Sequence, residues 1–490
     1  MACLFPPRFS VRMSKQELVT PKTETPREKK PLSDIDDQAS LRYQLPVLWF
    51  YEAKPSMRGM DPATLVKDGL AKALVFYYPL AGRLYEGPNK KLIVDCNGEG
   101  VLFVRAEADV ALVKLGRFVQ APCPYLKKLL YHVPGSGGIT GTPLLLIQVT
   151  RFTCGGFALG VRLNHTMVDA YGILLFLKAV SELARGSTSA PSVAPVWDRE
   201  LLTAHGSHET SSVRSNSNTE RELQGLYGRP THRKHIFKPL DIERLGALIY
   251  DLETHAAMPR FFFFPTGIPI LLQRSFVFGP REIQALKVQA VAQGYGQCTT
   301  FEVVVACLWK CRTIALQLEP SLTVRVTFPT DIRGMSSVTG LSFPRGYYGN
   351  AIVMLSASTT AKLLCEGPIS YAIKLIREAK GKPDFDYVGS VLDFMVCNGR
   401  SRMIVRGNLM ISDTTRIGFE KLDFGWGDAI YTGTSTAVYG ATFLQNPKSV
   451  AAGCCGAERS ILVPLALPHI SMLIFKRELK KMTTRAFSKI

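Results

Sequence analysis

Leu163-Asn164-His165-Thr166-Met167-Val168-Asp169 sets an imidazole four residues ahead of a carboxylate. Before it runs a stretch of small and apolar residues, Gly155 to Leu163, of which Gly156 to Leu163 reads as a strand. After it comes Ile173 to Ala184, apolar nearly all round and therefore a buried helix. That helix is expected to stop at Arg185-Gly186, a cationic last turn followed by glycine. On helical spacing His165 and Asp169 would share a face, within reach of each other. Two readings stand at this point. One is a general base held at a cleft. The other is a core histidine satisfied by hydrogen bonds. No second histidine lies nearby, so zinc is not expected here.

Outward from this stretch, the chain extends to 490 residues, too many for one ordinary core, and two large domains are expected. Apolar residues make up 46% and charged residues 20%, a globular rather than a disordered balance. The net charge of +19 favours a polyanion: nucleic acid, an anionic membrane or a phosphate-bearing small molecule. The cations are scattered, with no basic run interleaved with aromatics, which argues against nucleic acid. The 11 cysteines are odd in number and contain no CxxC pair, so free thiols in a reducing compartment are expected rather than a zinc ribbon. The N-terminus has no apolar signal core. The most apolar short run, Phe261 to Leu272, is broken by Pro265 and Pro269 and is too short to span a bilayer.

Residues 9 to 20 alternate and suggest a first strand. Leu32-Ser33-Asp34-Ile35-Asp36-Asp37-Gln38 reads as a polar turn or a helix start. Val47 to Tyr51 reads as a buried strand. Asp61 caps a helix whose first residue is Pro62. Strands at Lys91 to Asp95 and Gly100 to Ala106 flank the turn Asn97-Gly98. Two more follow at Leu144 to Phe152 and Gly156 to Leu163. Composition then shifts. Five of the eight histidines (His205, His208, His232, His235, His255) fall between residues 205 and 255, around a Ser/Asn/Thr-rich tract, and this region reads as a linker with no metal site. Beyond Arg274, strands at Ser275–Phe278, Val324–Thr330, Ala351–Leu355, Asn408–Ile411 and Leu462–Leu467 mix with helices at Pro280–Gln293, Thr299–Gln317 and Ile369–Lys380, and with one after Pro468. The class is α/β or mixed α+β. The expected division is a domain over 1–204, a crossover over 205–273 and a second domain over 274–490.

Asp423-Phe424-Gly425-Trp426-Gly427 is a rarer string. Two glycines around a tryptophan suggest a tight loop with Trp426 packed inward. Together, in this order and this far apart, His165 to Asp169 and Asp423 to Gly427 resemble the two signature motifs of the BAHD family of plant CoA-dependent acyltransferases. Tyr77 to Arg83 (YYPLAGR), Leu32 to Gln38 (LSDIDDQ), Thr300 to Arg312 (TFEVVVACLWKCR) and Tyr347 to Asn350 (YYGN) agree with it. The likeness covers roughly residues 9 to 204 and 274 to 475, while 206 to 273, including Phe261-Phe262-Phe263-Phe264-Pro265, match poorly. LSDIDDQ, PLLLIQVTRFTCGG and LNHTMVDA most resemble the alcohol acyltransferase branch that contains benzyl alcohol O-benzoyltransferases.

The resemblance implies two similar chloramphenicol-acetyltransferase-like domains, each a mixed sheet with helices, and a solvent channel between them. It implies that His165 is the base. Asp169 would be a structural support that pairs with an arginine, for which Arg333 is the candidate by position. The loop Asp423, Phe424, Gly425, Trp426, Gly427 would lie off the active site. Acyl-CoA is the implied co-substrate and an alcohol the acceptor, benzoyl-CoA with benzyl alcohol or a small alcohol being the expected pair. Other expected specificities are a methanol acceptor with an anthraniloyl donor, an acetyl donor or an amine acceptor, and a catalytically silent CoA-ester-binding relative is a further alternative. No permanently bound cofactor, no metal, no nucleic acid, no membrane and no second subunit is expected; the CoA-binding residues are not identifiable. Two departures stand out. Ala170 and Tyr171 separate Asp169 from Gly172, where the family often has glycine directly after the aspartate. Thr414 stands where many members carry tryptophan. The tail Ser488-Lys489-Ile490 is close to the peroxisomal signal Ser-Lys-Leu; the cytoplasm is the family's default.

Overall fold

The computed structural model describes residues 5–186, 188–204, 217–227, 271–398, 403–434, 440–446 and 460–484. The five linker histidines, Cys454, Cys455, Phe261 to Pro265 and Ser488-Lys489-Ile490 lie outside the described residues.

In chain order the first half gives β1 (Val11–Met13), β2 (Glu17–Val19), β3 (Lys29–Pro31), β4 (Gln44–Tyr51), α1 (Pro62–Phe76), β5 (Arg83–Glu86), β6 (Leu92–Asp95), β7 (Val101–Ala108), the short α2 (Leu126–Leu129), β8 (Leu145–Phe152), β9 (Phe157–Asn164) and α3 (Ala170–Ala184). The second half adds β10 (Leu271–Phe278), β11 (Thr323–Asp331), β12 (Ile352–Thr360), β13 (Asn408–Asp413), β14 (Tyr431–Thr434), β15 (Gly440–Gln445) and β16 (Ile461–Pro468). Its longer helices are Pro280–Ala292, Thr300–Leu316, Ile369–Lys380, Phe385–Cys397 and His469–Thr484.

Two mixed sheets organise the molecule. The first runs β1-β7-β8-β9-β4-β14, with β2 also on β7; the second runs β10-β16-β15-β13-β11-β12. A small sheet, β3-β6-β5, stands apart. In the first sheet the two-residue period sorts side chains between faces. Phe157, Leu159, Val161 and Leu163 of β9 join Trp49, Tyr51, Val149, Leu70 and Leu177 in the core beneath α1 and α3. Ala158 packs on the opposite face with Leu48, Phe50 and Leu146. The second sheet buries its face against the helices of the second half, with Val304, Leu308, Trp309, Ile373, Val463 and Phe475 in one cluster.

Local signals placed α1: the Asp61 side chain accepts the N–H groups of Ala63 (3.3 Å) and Thr64 (3.2 Å), and Pro62 opens the helix. Longer-range pairing overrode others. Residues 9 to 20 form two short strands rather than one, both paired with β7. The turn at Asn97-Gly98 makes no hairpin, because β6 pairs with β3 and β5 while β7 pairs with β1, β2 and β8. The helix Phe385–Cys397 and the strands β14 and β15 were absent from the sequence reading. Strand β14, from the part of the chain expected to build the second domain, lies in the first sheet, antiparallel to β4, with Tyr431 opposite Phe50.

Candidate active site

His165 and Asp169 do not share a helix. Strand β9 ends at Asn164, whose side-chain oxygen accepts the Thr166 N–H (3.2 Å) and hydroxyl (2.7 Å). Asparagine readily makes such a local turn, and this one breaks the path between strand and helix. Asp169 sits at the other end of the turn as the N-cap of α3 and accepts the Gly172 N–H at 2.9 Å. The two side chains therefore serve different elements. The spacing suggested a helical pair because it carries no information about a turn set by a side chain.

Each residue is held by groups from across the chain. The His165 N–H donates to the Tyr43 carbonyl (3.0 Å), and its carbonyl accepts the Asn350 amide (3.0 Å). The imidazole is half-buried and tilts against the Tyr43 ring, 5.2 Å between centroids. Its Nδ1 is buried with no hydrogen-bond partner among the described residues. Burial pulls the imidazole below its ordinary pKa, opposed by its own main-chain carbonyl, then by the charge of Asp169, by Asn350 and by the charge of Asp36. Asp169 Oδ2 accepts both Arg333 Nη2 (2.9 Å) and the Ala351 N–H (3.1 Å). Arg333 also donates to Asp331 (3.1 Å) and to the Gly349 carbonyl, and stacks on the Tyr171 ring at 4.9 Å. The turn that follows β9 is thus clasped by Tyr347 to Ala351, drawn from the other half of the chain. Approach is close enough that a Cβ on Gly172 would lie 2.1 Å from the Tyr348 carbonyl oxygen.

The loop Asp423 to Gly427 is elsewhere. Asp423 Oδ1 accepts the N–H groups of Gly425 (2.6 Å) and Gly427 (2.7 Å), with both glycines at positive φ, 109° and 88°. Phe424 is fully buried against Tyr51, and Trp426 donates from its indole to the Gly155 carbonyl at 3.1 Å. Gly155 precedes β9 and His165 follows it. Eight strand residues separate them by about 26 Å. This loop holds the far end of the strand, and among the described residues its hydrogen bonds and ring contacts do not reach the histidine.

Sequence reading missed the role of Asp36. It is fully buried, where a polar turn was expected, and Arg199 beside it is 1% exposed. Nothing in the sequence marks Arg199; a run of three acids in LSDIDDQ between apolar residues was the available signal for Asp36. Among the described residues, no three His, Cys, Asp or Glu side chains are grouped to hold a metal ion.

Two mixed-sheet domains meeting at an HxxxD turn define the two-domain acyltransferase fold. The family model described as the Transferase family matches residues 9–259 and 265–482. The chain belongs to that family, the BAHD acyltransferases, and is an acyltransferase. An alcohol acyl transferase of Malus domestica is 42% identical over 482 residues, covering 98% of this chain and 95% of that protein. A benzyl alcohol O-benzoyltransferase of Petunia hybrida is 42% identical over 478 residues, covering 97% and 94%. The match carries through the crossover that the sequence reading set apart as poorly matching, leaving only 260–264 of it outside the family model. In fold, the chain is similar to vinorine synthase (TM-score 0.66, 22% identity, 96% and 98% covered) and to F. sporotrichioides TRI101 complexed with coenzyme A and T-2 (0.62, 15%, 93% and 98%). Among the described residues no helix is long and apolar enough to cross a membrane.

Proposed function

We propose that this chain transfers an acyl group from coenzyme A to an alcohol, with His165 as general base. The observation that carries the reading is a half-buried imidazole, biased towards its neutral form, whose main chain is gripped from both halves of the molecule. An alcohol is a poor nucleophile at neutral pH. With Nδ1 turned into the protein, Nε2 is the nitrogen left to take the hydroxyl proton as oxygen attacks the thioester carbonyl. The new C–O bond gives a tetrahedral oxyanion. Its collapse breaks the C–S bond, and the thiolate takes the proton from the imidazolium. No acyl-enzyme is needed, so both substrates bind together. Base catalysis of this kind contributes about 10²–10⁴-fold. Among the described residues the hydrogen bonds of Asp169 go to Gly172, Arg333 and Ala351 and not to the imidazole; its place is that of a brace. The net charge of +19 suits a phosphate-bearing donor.

The relatives' activities support an alcohol acceptor, and we assign benzoyl-CoA or a similar aromatic donor with benzyl alcohol or a small aliphatic alcohol. The cytoplasm is the assigned compartment. Free-thiol release from benzoyl-CoA with a panel of alcohols tests the assignment. Turnover is expected with benzyl alcohol, and His165→Ala is expected to abolish it while leaving CoA binding in place. Normal turnover by His165→Ala would refute the mechanism. Turnover confined to acetyl-CoA, to methanol with an anthraniloyl donor or to amines would refute the specificity. No release with any pair from folded protein would leave a silent CoA-ester-binding relative.

A further inference from the structure

Two stretches of unusual sequence, Leu32 to Gln38 and Tyr347 to Asn350, take no part in the chemistry above. In the fold they meet behind the catalytic turn. Asp36 Oδ1 accepts the Asn350 N–H (2.9 Å), the Asn350 side-chain amide (2.8 Å) and Arg199 Nη1 (3.0 Å). Its Oδ2 accepts the Ser33 hydroxyl (2.7 Å), the Ser33 N–H (3.2 Å) and Arg199 Nη1 (2.9 Å). Two of its three partners, Asn350 and Arg199, then reach the turn that carries the base. Asn350 Nδ2 donates to the His165 carbonyl at 3.0 Å, and Arg199 Nη2 donates to the Met167 carbonyl at 2.8 Å.

We propose that Asp36 is a positioning residue for His165, fixing the main chain on both sides of the turn through Asn350 and Arg199. The inference rests on the reading of His165 as the base. Carbonyls in a turn between strand and helix lack the partners that regular structure supplies, and a buried one must be satisfied from elsewhere. Here both donors come from outside the turn, and one carboxylate aims both. A carboxylate only accepts, so it fixes which end of the Asn350 amide points towards His165. Arg199 is fixed similarly and is further enclosed by Trp197 (4.5 Å) and Tyr348 (5.1 Å). A buried ion pair gives little net stability over an apolar substitute, and its better-attested use is to specify one arrangement. The arrangement specified here is the place of the imidazole relative to the seam, because Asp36 and Arg199 come from the first half and Asn350 from the second.

The test uses Asp36→Asn and Arg199→Lys in the full chain, with His165→Ala alongside. Folding is checked by thermal unfolding, and kcat and KM for donor and alcohol are measured across the acid limb. Lysine keeps a charge opposite Asp36, but a single ammonium on a flexible stem cannot fork to Asp36 and the Met167 carbonyl as a guanidinium does. Displacement of a reacting group by about 1 Å costs up to roughly 100-fold. Both variants are therefore expected to lose at least about tenfold in plateau kcat, with each KM within about threefold. Among the described residues, the groups that act on His165 include Asp169, Asp36, Asn350 and Tyr43, with Arg199 and Arg333 paired to the two carboxylates. Removing the Asp36 charge also moves the acid limb to lower pH, which a purely structural role would not do. Folded variants with unchanged plateau kcat would overturn the proposal, whether or not the acid limb moves. If Asp36→Asn does not fold, Arg199→Lys decides by its plateau kcat. Retained activity in His165→Ala would instead sink the base reading, so the two failures are distinct.

Discussion

Replacing Asp169 by alanine removes an acceptor that three elements share. The N–H of Gly172 loses its cap, worth about 1 kcal/mol. The larger loss is at Arg333, whose side chain is 11% exposed. Removing one partner of a buried ion pair costs about 3–5 kcal/mol. Arg333 keeps Asp331 and the Gly349 carbonyl, which places the cost at the lower end. Asp169→Ala is thus expected to be about 4 kcal/mol less stable than wild type. Asp169→Asn, which keeps an oxygen for Gly172, is expected to lose about 3 kcal/mol. For a cooperative unit of one domain, 4 kcal/mol corresponds to a Tm lower by roughly 8–16 °C. Differential scanning fluorimetry of both variants, with kcat measured on the folded fraction, reads this directly. The double variant Asp169→Asn/Arg333→Gln should be less destabilised than the two single losses summed, since it leaves no buried charge unpaired. An Asp169→Ala protein melting within about 2 °C of wild type would refute the reasoning.

Other outcomes follow from the same contacts. Gly172→Ala would ordinarily strengthen a helix by up to about 1 kcal/mol, but its Cβ meets the Tyr348 backbone oxygen, so a net loss of about 1–3 kcal/mol is expected on thermal unfolding, and a gain would be contrary. Trp426→Ala should cost about 3–5 kcal/mol while the KM values of the remaining folded enzyme stay near wild type, because the loop grips β9 far from the base; a selective rise in KM would contradict that. Because burial lowers the His165 pKa in the free protein, the acid limb of kcat/KM should lie below the ordinary imidazole value of about 6.5. By linkage, the unfolded chain binds that proton more readily. The stability contributed by neutral His165 is full above pH about 6.5 and declines as pH falls towards the lowered value. An acid limb above the ordinary value would refute the burial argument.

The sequence made visible what local chemistry decides. Asp61 and Pro62 marked the start of α1, and the apolar run after Asp169 marked α3. His165, Asp169 and Arg333 were named in advance, and the structure brings Arg333 to Asp169. The turn between His165 and Asp169 was hidden, because an i,i+4 spacing says nothing of an Asn164 side chain that caps a turn first. Asp36 and Arg199 were hidden differently. They lie 163 residues apart, and neither is unusual without the other. Strand β14 is four residues long, and it pairs with β4, far back along the chain.

That strand has a consequence for how the protein is made. The first sheet ends in β4 until β14 closes it, and β4 is the buried, aromatic-rich Val47-Leu48-Trp49-Phe50-Tyr51. During synthesis the ribosome must release residue 434 before this edge is covered. An open, apolar edge strand is a template for pairing with other chains. The β4 edge is therefore expected to stay uncovered until residue 434 has been made, and slower expression is expected to raise the soluble yield. By the same geometry, the first half expressed alone is expected to be less soluble than the full chain. It needs a short strand from near the other end of the gene.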